Sequence, residues 1–471
     1  MLTPEALRRA DPTRLADTGA AWRRLADALT VQTAELDRHL TGLRAGWSGS
    51  AAGTATGAIG AVCTALDESA PRLRAVAAAV TAHADAVRRA GLLVHRDPDG
   101  ALTLAVSSDN ATAAELATLG PTPTPASGGA GPTGPPAGAI PGVVASWWAG
   151  LSPDQRSWLL EHRPDLLGNL DGVPADARDL ANRARLARLL ADPSTPHRAS
   201  LRGVQARLDA PGQPRTYLLG LSTSGTGRAV VAFGDPDTAD NVATYVPGLG
   251  GDLATGLDEI DRAGRLATAA RQAAPDRSTA VIAWLGYDAP TSLPAAARPD
   301  AALGAVSALH RFQAGLRATH LGAAAHQTVV GLSYGSTVVG LTGRGAGLLA
   351  DDVVLIGSPG VGVRHAADLG LDPGHVWAST ARHDVINAAT DPRDLFRPDL
   401  NPLLRPLFGE HTDRLWYGPS PTSHSFGAHV FTSAPGTGLN PIAAHLGYFD
   451  RGNPALTDMA DIAVSRYAEV R

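Results

Sequence analysis

The sequence predicts an α/β domain built on a mostly parallel eight-stranded sheet, preceded by a separate all-α arm, and three observations predict it. Over residues 4–92 apolar side chains recur at steps of three, four and seven, the period of amphipathic helices. From Arg215 onward, short β-branched runs alternate with helix-length stretches, the pattern of strands joined by covering helices. Between them Pro121 to Gly142 reads PTPTPASGGAGPTGPPAGAIPG, which reads as an interdomain linker with a protease-sensitive tip. The expected organisation is a helical hairpin over 1–92, a connecting segment and linker over 93–142, a helical lead-in over 143–200 and the α/β domain over 201–471.

A chain of 471 residues has ample length for a large core. Its 40 basic and 45 acidic residues nearly balance, so it lacks the electrostatic footprint of a nucleic-acid partner. All the basic side chains are arginine. That excludes Schiff-base lysines, Ser-Lys dyads and phosphate-loop lysines. The single Cys63 cannot form an internal disulfide and reads as an inert buried thiol. No signal-peptide core and no run of eighteen apolar residues occurs, so no transmembrane segment is expected. The chain is expected to be soluble, either cytoplasmic or exported without a cleaved signal.

In the arm, Leu15, Trp22, Leu25, Leu29, Leu36, Leu40, Leu43 and Trp47 form one stripe, and Ile59, Val62, Leu66, Leu73, Val76, Val80 and Val87 form another. Trp47-Ser48-Gly49 turns the chain between them, and a two-helix unit leaves an apolar face for a partner. The hairpin length with Trp47 and Gly49 resembles the Trp-x-Gly family associated with type VII secretion. The resemblance implies docking of a small helical Trp-x-Gly partner. The stretch ADAVRRAGLLVHRD has no tyrosine, so the Tyr-x-x-x-Asp/Glu element of exported members is absent. A plain dimerisation arm, giving a homodimer through residues 1–92, fits the same pattern. After it, VHRDPDGALTLAV suggests a small hairpin around Pro98-Asp99-Gly100 and then a short helix.

In the lead-in, Ser152-Pro153-Asp154-Gln155 starts a helix with a capping serine and a proline in the first turn. A second helix runs from about Pro174 to Leu190, where Asp179, Asn182 and Arg183 read as a solvated or packing face rather than a polar site. RTYLLGL and RAVVAF flank the Ser224-Gly225-Thr226-Gly227 turn as a hairpin. NVATYV, TAVIAWL, TVVGL, VVLIG, HVWAST and HVFTS bring the strands to eight.

Chemistry concentrates in Gly331-Leu332-Ser333-Tyr334-Gly335, between the fifth strand and a small-residue helix. G-x-S-x-G alone is a weak signal, but strand, sharp turn and helix are what a nucleophile elbow requires. Side chains at the flanking positions would collide with the neighbouring strand and helix, and glycine removes both clashes. An α/β-hydrolase places its acid and its histidine later in the chain, in that order. Asp384 follows the seventh strand and His445 the eighth. Ser333 is therefore the candidate nucleophile, His445 the general base and then acid, and Asp384 the carboxylate that holds the imidazole tautomer. Asp391 is the second choice for the acid, and His429 or His424 for the base. Oxyanion donors are expected from the amide of Tyr334 and from Leu249 in the Gly248-Leu249-Gly250-Gly251 loop.

VPGLGG, WLGYD, GLSYGS, GSPG and HLGYF, with the lead-in GNLDGVPADARDLANR, resemble an actinobacterial α/β-hydrolase family first catalogued as a domain of unknown function. The resemblance covers about residues 145–450 and implies a Ser-Asp-His triad at Ser333, Asp384 and His445. Leu332 and Leu446 stand where histidine and serine are frequent in that family. The expected function is ester hydrolysis, lipid and acyl esters included, through an acyl-enzyme and without metal or cofactor. Residues 391–426 are a candidate lid. A type VII-associated effector and a non-catalytic α/β scaffold are the alternatives.

Overall fold

The computed structural model describes residues 11–46, 50–94, 96–119, 131–211, 214–388 and 414–471. The chain divides into two compact units, residues 1–125 and 126–471.

The first unit is all-α. Helices α1 (Pro12–Gly46) and α2 (Ser50–Leu93) run antiparallel, with Gly19 opposite Thr81 and Asp27 bonded to Arg74. Ala26, Thr33 and Leu40 are buried at a step of seven, and so are Cys63, Ala70, Ala77 and Ala84 on the other helix. A seven-residue step on both helices makes a close, small-residue seam. A Cβ at Gly19 would stand 2.4 Å from Thr81 Oγ1, so the backbones approach closely there. The stripe expected at Trp22, Leu29 and Leu36 flanks this seam. Trp22 is 38% exposed, and Leu25 and Val31 are also exposed. The turn at Trp47 to Gly49 lies outside the described residues.

The hairpin expected at Pro98-Asp99-Gly100 is instead the first turn of helix α3 (Pro98–Leu119). Asp97 Oδ1 accepts the Gly100 amide at 2.9 Å and Pro98 takes the first helical position, so Asp-Pro acts as a helix start rather than a turn. Ala101 and Ala105 then pack on Val87, Ala90 and Val94. The arm thus supplies a third helix to part of its own apolar face.

In the second unit, residues 131–140 of the expected linker bury none of their side chains fully, yet their backbone is tied to the helices around it. Thr133 carbonyl accepts Trp147 Nε1–H at 3.1 Å, and Ala139 carbonyl accepts from Arg311 at 3.0 Å. Residues 121–130 of that linker lie outside the described residues. Helix α4 (Pro141–Gly150) begins within the expected linker because Pro141 is pre-set for a first helical turn. The lead-in continues with α5 (Pro153–His162), α6 (Pro164–Leu167), α7 (Ala175–Ala191) and α8 (Arg198–Leu208). Ser152 and Gln155 form the expected cap as a reciprocal capping box.

The strands are β1 (Thr216–Ser222), β2 (Arg228–Phe233), β3 (Asn241–Val246), β4 (Thr279–Leu285), β5 (His326–Leu332), β6 (Asp352–Ile356) and β7 (Val376–Ser379). A small β8 (Arg414–Leu415) and β9 (Gly418–Pro419) pair apart, and β10 (His429–Val430) closes the main sheet. Its eight strands run β1-β2-β4-β3-β5-β6-β7-β10, with only the β1–β2 and β2–β4 pairings antiparallel. The mostly parallel sheet read from the sequence is therefore present. Alternate strand residues face opposite sides: Val329 and Val353 join one core cluster, Val330 and Val354 the other. Helices α11 (Asp300–Thr319) and α12 (Tyr334–Arg344) cover the first side, and α9 (Leu257–Ala273) and α14 (Pro454–Ala463) the second. Two short helices, α10 (Leu293–Ala296) and α13 (Pro441–Leu446), lie in the connections.

Edge strand β1 is closed by side chains of the lead-in, which explains its polar signature. Asn169 exchanges two hydrogen bonds of 2.8 Å with the backbone of Leu221, as a neighbouring strand would. Asp179 accepts the Leu218 amide at 2.7 Å, Asn182 donates to Leu218 carbonyl at 2.9 Å, and Arg183 donates to Thr216 carbonyl at 2.9 Å. These groups form a packing face that removes an open edge. Among the described residues no helix is long and apolar enough to cross a membrane.

Candidate active site

The chain leaves β3, crosses to β4 on one side, and returns to β5 on the other. The C-terminal ends of β3 and β5 thus form a topological switch point, where open α/β sheets leave a crevice. Ser333 stands there, at φ 55° and ψ −129°, with its amide bonded to Ile356 carbonyl at 2.9 Å. A positive φ costs a serine energy, and the surroundings hold it. A Cβ at Gly331 would lie 2.6 Å from Ser336 Cα, and one at Gly335 would lie 2.1 Å from Val246 carbonyl oxygen. The first clash is with the helix and the second with the strand.

Beside it runs the loop after β3. A Cβ at Gly248 would be 2.8 Å from Ser333 Cβ and 3.0 Å from the Tyr334 nitrogen, so this backbone touches the elbow directly. Pro247 carbonyl accepts the Tyr287 hydroxyl at 2.8 Å, and the Tyr287 ring stacks on Trp284 at 5.9 Å. The WLGYD stretch thereby fixes the loop. The Leu249 amide has no partner among the described residues, and Tyr334 opens α12, where a first-turn amide has no intrahelical acceptor.

Asp384 and His445 meet at this same end of the sheet. His445 Nδ1 is 2.8 Å from Asp384 Oδ1, with the carboxylate fully buried and the imidazole 12% exposed. Burial disfavours the imidazolium, but the charge and hydrogen bond of Asp384 outweigh it and hold His445 above its ordinary value. A Cβ at Gly357, in GSPG, would lie 3.0 Å from Asp384 Oδ2 and 3.1 Å from His445, and its φ of 50° would strain any side chain, so glycine is favoured there. Asp384 also accepts the Ile386 amide at 2.7 Å and the Tyr448 hydroxyl at 2.5 Å. The sequence reading passed over Tyr448, Tyr287 and Ser358, although HLGYF, WLGYD and GSPG contain them. Ser358 Oγ lies 2.7 Å from Ser336 Oγ, which bonds Ser333 carbonyl at 2.6 Å.

Among the described residues, neither His424 nor His429 is bonded to this pair. His424 and His429 are exposed, and His429 sits on edge strand β10 with its ring 5.0 Å from Trp377. Asp391 lies outside the described residues, as do residues 391–413 of the candidate lid. A second pair, His326 with Asp352 at 2.8 Å, occupies the first residues of β5 and β6. Ser333 follows the last residue of β5, roughly 20 Å away at a strand's rise per residue. Two cavities, of about 560 and 450 Å³, also open at that far end, by Arg271, Arg277 and His326.

Fold and site together define a serine-hydrolase-like α/β-hydrolase. Residues 223–393 match the alpha/beta hydrolase family model, and residues 8–103 match that of the PPE family. An uncharacterized protein of Mycobacterium tuberculosis is 35% identical over 375 residues, covering 70% of this chain and 56% of its own length. An uncharacterized protein of Mycobacterium bovis is 35% identical over 198 residues, covering 40% of this chain and 73% of its own. The chain belongs to this actinobacterial α/β-hydrolase family and carries a PPE-like helical unit ahead of the hydrolase. It spans a little over half the length of the first of these relatives. No solved structure matches it.

Proposed function

We propose that the second unit hydrolyses carboxylic esters through an acyl-enzyme on Ser333. The observation that carries this is the His445–Asp384 pair, 2.8 Å apart at the end of the sheet where Ser333 holds its strained turn. His445 Nε2 takes the hydroxyl proton as Ser333 Oγ attacks the ester carbonyl, and Asp384 holds Nδ1 and stabilises the imidazolium. The amides of Tyr334 and Leu249 receive the oxyanion. His445 then protonates the leaving alkoxide, and water releases the acid by the same steps in reverse roles. Exposed Leu249 and Leu446, one in the donor loop and one next to His445, favour an apolar acyl group, so lipid or acyl esters are the favoured class. A fluorophosphonate should label the native chain on Ser333 and leave Ser333→Ala unlabelled. Labelling that survives the substitution would overturn the assignment, and a panel of esters graded by chain length would define the acyl group.

A second role is favoured for the first unit. Trp22 and Leu25 are exposed about one turn apart on α1, and a helical partner that packs on them, a small Trp-x-Gly-like protein or a second copy, fits that face. Export without a cleaved signal belongs with this reading. Recovery of the chain only from the cytoplasmic fraction of its host would count against it.

A further inference from the structure

Tyr448 lies three residues after His445 and is completely buried. Its hydroxyl accepts the Ala381 amide at 2.8 Å and stands 2.5 Å from Asp384 Oδ2. A backbone N–H can only donate. The phenolic proton is therefore directed to Asp384, whose Oδ2 accepts it. The other oxygen, Oδ1, already accepts the Ile386 amide at 2.7 Å. With donors already on both oxygens the carboxyl group is arranged as an acceptor, which assigns the proton between it and His445 to Nδ1. Nε2 is then the basic nitrogen.

We infer that Tyr448 is a positioning residue for ester hydrolysis, which sets the tautomer and orientation of His445 through Asp384. The inference rests on the catalytic reading of Ser333, Asp384 and His445. The direction of the relay is anchored at the Ala381 amide, which cannot reverse. Burial and the Asp384 charge hold the phenol well above its ordinary value, so it stays a donor wherever the enzyme operates. Without its hydroxyl, Oδ2 would be a buried oxygen lacking its side-chain donor, the carboxylate would draw the imidazolium proton more strongly, and His445 would titrate at higher pH.

The test is Tyr448→Phe in the full chain, assayed with p-nitrophenyl butyrate across the pH range. The expected result is a fall in kcat of roughly ten- to a hundredfold, the range of a charge-assisted hydrogen bond, with KM little changed. The acidic limb of kcat/KM should move to higher pH. In an Asp384→Asn background the same substitution should add nothing, because its effect passes through Asp384. An unmoved pH profile, or an equal loss in both backgrounds, would overturn the inference. Nitrogen NMR of the native chain tests it without a variant: neutral His445 should carry its proton on Nδ1, and an Nε2–H tautomer would overturn it. Turnover that survives Ser333→Ala would instead overturn the catalytic reading itself, so the two failures are distinct.

Discussion

Gly335 meets the end of β3 so closely that a Cβ on it would stand 2.1 Å from the carbonyl oxygen of Val246. The partner is backbone, which cannot swing aside. Gly335→Ala should therefore push the elbow away from β3 at a cost of about 2–3 kcal/mol, the range of an overpacked core. A displacement of the serine by even 1 Å should lower kcat/KM by roughly a hundredfold. Denaturant melts and ester kinetics on the same variant check both, and a variant of native stability and activity would show that the contact can relax.

Asp384→Asn and His445→Ala should each lower kcat by on the order of 10³–10⁴ and change KM little, since in the proposed mechanism both act on the activated serine. His429→Ala is the control. Its ring lies against Trp377 on the edge of the sheet, and its removal should leave kcat within about twofold. A larger loss from His429 than from His445 would reverse the choice of base.

The pH dependence has a definite sign. His445 is held above its ordinary value of about 6.5, and as the proposed base it must be unprotonated to accept the serine proton. Activity should therefore rise with pH through a midpoint above about 6.5. A midpoint below that would mean that burial outweighs Asp384. The same shift gives a stabilising contribution fully present below the unfolded value and lost as pH rises through the folded one.

The two histidine–carboxylate pairs should separate experimentally. Asp352 is fully buried and takes bonds from Trp377 at 3.0 Å, Tyr467 at 2.6 Å and His375 at 3.0 Å, besides its contact with His326. Burial raises its proton affinity, but these bonds together lower it below the ordinary value. Its contribution is present above the unfolded value of about 3.9 and lost as pH falls through the folded one. Asp352→Ala should cost about 3 kcal/mol by stranding the buried Trp377 indole N–H and the part-buried Tyr467 hydroxyl, whereas His326→Ala should leave kcat nearly unchanged. A collapse of kcat in His326→Ala would place the chemistry at the wrong end of the sheet for Ser333.

Deleting residues 1–120 should leave kcat/KM for a small soluble ester within about threefold, a change below roughly 0.7 kcal/mol. The full chain should bind a helical partner or itself where the deletion does not. Light scattering and pull-down read the association, and loss of activity on deletion would make the arm part of the enzyme.

What the sequence determined by itself was local. Strand periods, the capping box at Ser152 and the glycines around Ser333 are dictated within a few residues, because backbone sterics and hydrogen-bond caps act at that range. Chain order also indicated Asp384 and His445, since each follows its strand in the sheet. Tertiary structure decided what depends on meetings across the chain. The sequence of Asp97-Pro98-Asp99-Gly100 suits a turn or a helix start, and packing of Ala101 and Ala105 on Val87 and Val94 selects the helix. Asp179, Asn182 and Arg183 are polar residues on a helix until β1 offers them an unpaired edge. Tyr448 is an ordinary aromatic in HLGYF until burial places its hydroxyl between the Ala381 amide and Asp384, 64 residues away in the chain. A buried donor finds its acceptor through the fold rather than through spacing, so its partner can be read only in three dimensions.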